Sequence, residues 1–482
     1  MTTSTPTSSA SILQDVGLWR MLLDNAKQQN ISGFKALLSN VICQLDGLLS
    51  DQLSAVIQDP AFKQLEASWT NVQNLTFLPV STRRVKIKLI DVSWSELSAD
   101  LNQSFDLSHS ALYKKVYSKE LDTAGGQPFG LLVADRLVQF DLDEEATFDD
   151  LYTLQLLADL GERSLCPIAL GLDQYFFGDE PARLVHDQAR IKRILTSLDF
   201  QSWQLLRQRG SSRFLNIVLP EYRLRSPYQA YKAGFVFTEL ANDSSVLWGN
   251  AAYLLAANVI REFDRISWFG FLRAYDESGS YGAIINAPAT VSGNASVNVS
   301  VNGLSSSQSP MLNRDRLSID ARINIYSEHD SFWSEQGLVP ISSVYLSDQN
   351  GFFSNQSVWQ PTDEASRVNG MLQTNLMACR FAHYIKAQIR DRIGSFDSAA
   401  TCERDLEQWL QNYISGVDYG DESIMARYPL KQASVTFTQD SFDSTKYRCQ
   451  IHLQPQYQYE MLDTHIVLLT DVSARKLGEV AE

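Results

Sequence analysis

Apolar positions fall at helical spacing in the N-terminal part of the chain and alternate in several later segments. Ile12, Val16, Trp19, Leu23 and Ala26 form one stripe, and Phe34, Leu38, Val41, Leu45 and Leu48 a second, so two amphipathic helices are predicted. Asp59 is placed to cap a third, with Pro60 at its first position and Phe62, Leu65, Trp69 and Val72 on its buried side. At RRVKIKLIDV the period changes. Val85, Ile87 and Leu89 alternate with Lys86, Lys88 and Ile90, as in a strand with one wet face. Ser93 and Glu96 have the spacing of a capping box for the next helix. FGLLVAD then reads as a buried strand, FDDLYTLQLLADLG as a helix ending at Gly161, and CPIALGL as another strand. That order implies a right-handed parallel crossover, hence an α/β middle domain.

Residues 287–310 are poor in charge and rich in Ser, Asn and Gly, which predicts a surface insertion and a boundary. Beyond it the pattern predicts a strand around Ile319 to Tyr326 and then a helix in Cys379 to Phe396. There Phe381, Ile385, Ile389 and Ile393 make one apolar stripe, and Gly394 supplies the stop. Arg380, Lys386, Arg390 and Arg392 lie between the stripe residues, as a solvated cationic face or a surface docked on a partner. His383 falls opposite the stripe, a packing or hydrogen-bonding position, or one at an interface. A helix around Cys402 to Ile414 follows, and then ASVTFTQD, KYRCQIHLQPQYQY and THIVLLTDV, which read as an antiparallel sheet. The expected organisation is a disordered tail (1–10), a helical section (11–78), the α/β middle domain (79–286), the insertion (287–310) and a C-terminal α+β domain (311–482).

A chain of 482 residues is too long for one small core. With 44% hydrophobic and 20% charged residues it has ordinary globular composition. Its formal net charge of −15 disfavours nucleic acid and anionic membrane surfaces as partners. Cys43, Cys166, Cys379, Cys402 and Cys449 are scattered and form no C-x-x-C pair, the usage of buried reduced thiols in a cytosolic protein. MTTSTPTSSAS lacks the pattern of a signal peptide, and the longest apolar runs are too short for a bilayer span.

Candidate chemistry is sparse. Gly125 and Gly126 lack the G-K-[ST] of a phosphate loop and predict a turn. His109, His186, His329, His383, His452 and His465 form no metal-ligand motif, although His452 and His465 could face each other across a hairpin. No G-x-S-x-G elbow occurs. DLDEEATFDD lacks calcium-loop spacing and suits a helix N-terminus and a solvated surface. No catalytic, cofactor or metal residue is assigned.

The order of residues adds what periodicity does not. CRFAHYIKAQIRDRIGSF closely resembles the signature helix of the large subunit of the type VI secretion contractile sheath, the TssC/VipB family. PAFKQLEASWTNV, SALYKKVYSKELDTAGGQPFGLLVAD, VLWGNAAYLLAANVIREF and RYPLKQASVTF resemble other blocks of that family in the family's order. The resemblance implies a cytoplasmic structural subunit with a C-terminal phage-tail-sheath-like domain. Such a subunit pairs with a small TssB/VipA-like subunit, stacks with its own copies around Hcp-like inner-tube hexamers, contracts against a baseplate and is recycled by a ClpV-like AAA+ ATPase. It further implies that the stripe Ile12, Val16, Trp19, Leu23 and Ala26 meets the ATPase or the small subunit. Strands carrying Val435, Phe437, Ile451, Leu453, Val467 and Leu469 would then join neighbouring subunits. Charged family stretches appear here as YSEHD, WQPT and QPQ, so the family's charge contacts at those positions are not carried over. An α/β enzyme and an unrelated scaffold remain as other readings.

Overall fold

The first elements described in full are the helices α1 (Ile31–Ile57) and α2 (Pro60–Thr76). The computed structural model describes residues 20, 21, 23, 24, 27, 31–140, 149–229, 231–232, 235–240, 245–275, 281–285, 320–345, 349–391, 399–415, 428–439, 446–456 and 466–473. The chain divides into a first unit, Met1–Thr70 with Arg223–Gly249, and a second, Asn71–Tyr222 with Asn250–Glu482. Asp59 caps α2 as the sequence predicts, its Oδ1 accepting from the amides of Ala61 and Phe62 at 3.0 and 3.3 Å.

The expected buried side of α2 is corrected. Of the expected stripe Phe62, Leu65 and Trp69 are exposed, Trp69 by 61%, and only Val72 is half-buried, whereas Asn71 and Leu75 are buried. On α1 the buried residues are Ser50 and Ser54, whose hydroxyls accept from the amides of Thr238 and Leu240, both at 3.3 Å. These helices therefore bury polar anchors beside Leu75, half-bury Phe34, Val41, Leu45 and Leu48 of the predicted α1 stripe, and leave Leu38, Phe62, Leu65 and Trp69 exposed. In the same unit Arg225 pairs with Glu66 at 2.8 Å and with the buried Glu239 at 2.7 Å.

In the second unit, α3 (Trp94–Gln103) begins with the expected capping box of Ser93 and Glu96. Then come β1 (Leu132–Val138), α4 (Asp150–Ser164), β2 (Ile168–Leu172), α5 (Gln188–Leu195), α6 (Gln201–Gln208) and β3 (Leu215–Leu219). Strands β4 (Tyr222–Arg225) and β5 (Leu247–Gly249) pair within the first unit, apart from Tyr222, and the second unit resumes with α7 (Ala252–Ile266) and β6 (Leu338–Pro340). The main sheet is parallel, in the order β1, β2, β3, β6, with Ile168 opposite Leu215 and Ile217 opposite Leu338. Its central strands are buried throughout, as apolar runs in a covered parallel sheet should be. Trp203, Trp333, Leu154 and Leu170 fill the core beside it.

Three sequence expectations fail in this unit. Residues 85–92 form no strand and are largely exposed. Helix α4 continues past Gly161 to Ser164 and stops at Leu165, which takes a left-handed φ of 54°. Gly161 marks close packing instead of a helix stop, since a Cβ there would lie 3.0 Å from that of Phe214 and 3.1 Å from the Cys166 carbonyl. The strand expected over Ile319 to Tyr326 shrinks to Ile325–Tyr326, paired with Ser342–Ser343.

The unit continues with α8 (Leu372–Asp391), α9 (Ala399–Gln411), β7 (Leu430–Gln439), β8 (Lys446–Pro455) and β9 (Ile466–Ser473). The last three form the antiparallel sheet that the alternation predicts, in the order β7, β8, β9. The insertion 287–310 lies outside the described residues.

Candidate functional site

The signature helix is α8, which starts at Leu372 rather than near Cys379 because MLQTNLMA continues its periodicity N-terminally. Phe381 and Ile385 are buried and Ile389 is half-buried. Phe381 stacks on Trp268 at 4.9 Å between ring centres and meets Tyr413 and Trp409 edge-on. Arg380 is half-buried and held by groups of its own chain. Its Nη1 donates to the Ser267 carbonyl at 2.8 Å, just past the C-terminal end of α7, where partial negative charge collects. Its guanidinium lies 4.5 Å from the Phe263 ring centre and 4.7 Å from that of Trp268. Lys386 reaches the Tyr117 hydroxyl at 3.3 Å. Arg390 belongs to α8, whereas Arg392, Ile393 and Gly394 lie outside the described residues.

His383 is buried with Nε2 3.4 Å from the Ser164 carbonyl. Burial, with Lys386 adding to it, holds its pKa down to about 4. The ring is thus a neutral packing group. With Asn375, whose Nδ2 donates to the Arg213 carbonyl at 2.6 Å, it ties α8 to the end of α4 and the approach to β3. The helix is an internal strut between the parallel sheet and the C-terminal part of the second unit.

In the closing sheet Val435 faces Ile451, Phe437 faces Cys449, and Ala433 faces Leu453. Val435, Ile451 and Leu453 are buried and Phe437 is half-buried. Val467 and Leu469 stand in register with His452 and Gln450. His452 thus pairs with Val467, and His465 lies outside the described residues. The strands β7 and β9 form the two edges; the start of β7 is partly covered, since Ser415 donates to the Leu430 carbonyl at 3.1 Å. In the N-terminal stripe, Leu23 is helical and exposed, while Ile12, Val16, Trp19 and Ala26 lie outside the described residues.

Sequence reasoning missed the work of Asn250. Its Oδ1 accepts from the Ala252 amide at 2.9 Å at the start of α7. Its Nδ2 donates to the carbonyls of Ala134 and Arg136 at 3.5 and 3.3 Å, where β1 bulges against β2. The Asn after Trp-Gly was its only signal. Asp150, expected to solvate a surface, is instead buried against Arg136 at 3.1 Å and accepts from the Trp94 indole at 2.7 Å. Its neighbour Asp149 caps α4.

Four thiols are buried, whereas Cys43 is exposed, against expectation. Burial pushes the Cys379 and Cys449 thiols up to about 12, so both stay protonated. At the carboxyl ends of β2 and β3 a crevice of about 20 Å³, lined by Asp173, Glu221 and Arg322 among others, has room for a single water. Among the described residues no group of three His, Cys, Asp or Glu side chains is set to hold a metal, and no helix is long and apolar enough to cross a membrane.

The EvpB/VC_A0108 tail sheath N-terminal domain matches residues 39–359, and its gpW/gp25-like domain matches residues 362–472. The chain belongs to the VipB tail-sheath family. It is 25% identical over 459 residues to the type VI secretion system sheath protein TssC1 of Pseudomonas aeruginosa, covering 91% of this chain and 86% of that one. A solved sheath tail protein from Desulfitobacterium hafniense aligns over 69% of this chain and 64% of its own at 9% identity, with a TM-score of 0.27, too low to support an argument. The family's second domain begins just before α8, so the strut belongs to the gpW/gp25-like part.

Proposed function

We propose that this chain is the structural large subunit of a type VI secretion contractile sheath, built with a small sheath subunit into a helical tube that contracts. Family membership over most of the chain carries the reading. The exposed apolar faces of α1 and α2 support it, because a subunit built to be covered leaves such faces in the isolated chain. Contraction then draws on energy stored in the extended lattice, and the chain works in the bacterial cytoplasm around an inner tube and against a baseplate. The β7–β9 sheet, with Val435, Phe437, Ile451, Leu453, Val467 and Leu469, links neighbours by strand addition. The stripe Ile12, Val16, Trp19, Leu23 and Ala26 offers a recycling ATPase its docking helix.

Co-expression with a small sheath subunit and electron microscopy test the reading. The chain alone should aggregate, and with the partner it should form tubules. A soluble monomer that ignores the partner would overturn it. Changing Trp19 and Leu23 to Ala should leave assembly intact while contracted tubules resist the ATPase, and normal disassembly would place the signal elsewhere.

A further inference from the structure

Residues 236–240 are the outer strand of a hairpin in the first unit, and α1 lies along their free edge. Val236–Phe237 pairs with Tyr231–Lys232, Tyr231 opposite Phe237, and the Glu239 amide donates to the Tyr228 carbonyl at 2.8 Å. Positions 237 and 239 therefore direct their main-chain groups into the hairpin, and 236, 238 and 240 direct theirs the other way. Side chains of α1 and the residue after it meet them there. Ser50 Oγ donates to the Val236 carbonyl at 3.5 Å and accepts from the Thr238 amide at 3.3 Å. Ser54 Oγ accepts from the Leu240 amide at 3.3 Å, and Gln58 Nε2 donates to the Leu240 carbonyl at 2.9 Å.

The two spacings match. Four residues of helix advance about 6 Å and two residues of strand about 6.8 Å, so Ser50, Ser54 and Gln58 keep step with 236, 238 and 240. The strand gains roughly 1.5 Å over that distance, and glutamine, the longest of the three side chains, stands where the lag is greatest. The helix thus takes the place of a neighbouring strand. Phe237 and Glu239 are buried, while Val236, Thr238 and Leu240 are exposed. Without the helix, this edge would be a template for pairing with another chain.

From this fit we infer that Ser50, Ser54 and Gln58 form an edge guard, which holds the hydrogen-bonding edge of 236–240 closed against the same strand of a second copy of this chain. The sequence of the strand selects that competitor. Paired antiparallel about Thr238, two copies set Val236 opposite Leu240 and Phe237 opposite Glu239, with no like charges facing. In a subunit that links its neighbours through β7–β9, a second open edge would divert strand addition. That consequence rests on the proposed function, whereas the guard itself does not.

Amide hydrogen exchange, resolved by residue in the mass spectrometer, tests the inference on the full chain in whichever form is soluble, paired with the small subunit or alone. Ser54→Ala removes one oxygen and should speed exchange at Leu240 roughly tenfold while Thr238 stays protected. Combining Ser50→Ala, Ser54→Ala and Gln58→Leu should free both amides and cause self-association that rises with concentration, read by sedimentation velocity. Adding Thr238→Pro should restore the parent's sedimentation, because proline removes a donor on the outer edge and leaves the hairpin side intact. Unchanged exchange at Leu240 in Ser54→Ala, freed amides without self-association, or self-association that the proline does not reverse would each overturn the inference. A parent chain that ignores the small subunit would overturn the sheath reading and leave the guard standing.

Discussion

Arg380 and His383 lie one turn apart on α8 and answer to different physics. Arg380 joins a hydrogen bond at a helix end to a stack on two aromatic faces, a combination for which the planar guanidinium suits better than a lysine ammonium. His383 owes its state to burial. Its pKa falls from 6.5 to about 4, so the unfolded chain binds a proton that the native chain refuses between those values. Its contribution to stability is therefore complete above the unfolded value and drains away as pH drops toward the native one. The carboxyls of Glu221 and Asp330, raised by burial, act in the opposite sense over their own range. A comparison with a variant isolates the histidine. Between about pH 7 and pH 5, His383→Gln should remove roughly 2 kcal/mol of acid sensitivity, read as a smaller shift in the heat-unfolding midpoint of the co-purified complex. An unchanged pH slope would mean that the fold does not hold the ring's pKa down.

At the scale of elements, caps and buried runs were the most legible in the sequence. Asp59, the Ser93–Glu96 box, the β1–α4–β2 crossover and the closing sheet follow from local chemistry, which tertiary contacts reinforced. The misses share a cause. Period alone says which residues of a helix or strand are apolar, but not whether this chain or another covers them. Phe62, Leu65 and Trp69 on α2, and Ile87 and Leu89 before α3, carry a correct pattern and face outward. Asn250 was illegible for a different reason, because its partners Ala134 and Arg136 are distant in sequence. Its amide nitrogen serves two carbonyls, so substitution should rank by what remains. Asn250→Ala should cost about 2 kcal/mol through the lost cap and the unsatisfied carbonyls. Asn250→Asp should cost more, since a carboxylate keeps the cap but faces the Ala134 and Arg136 carbonyls and the Asp135 side chain. Urea midpoints of the two variants decide the order, and equal losses would show that only the cap matters.

For the whole molecule, the exposed apolar side chains of α1 and α2 are the feature with the widest reach. The polar anchors, Ser50 and Ser54, are fixed by hydrogen bonds, while the apolar face waits for a neighbour. An uncovered face of this kind is what holdases and proteases recognise, so an orphan copy advertises that it is unassembled. Supply of the small subunit would then set the lifetime of this one, and stoichiometry would be corrected by turnover without any dedicated regulator. Pulse labelling should give a half-life several-fold shorter without the partner than with it. Changing Phe62 and Trp69 to Ser should lengthen the orphan's half-life, because the advertisement is removed while the buried residues of both helices are untouched. A half-life indifferent to the partner would mean that cells do not read this surface. Otherwise each copy of the chain carries its own expiry date, cancelled by assembly.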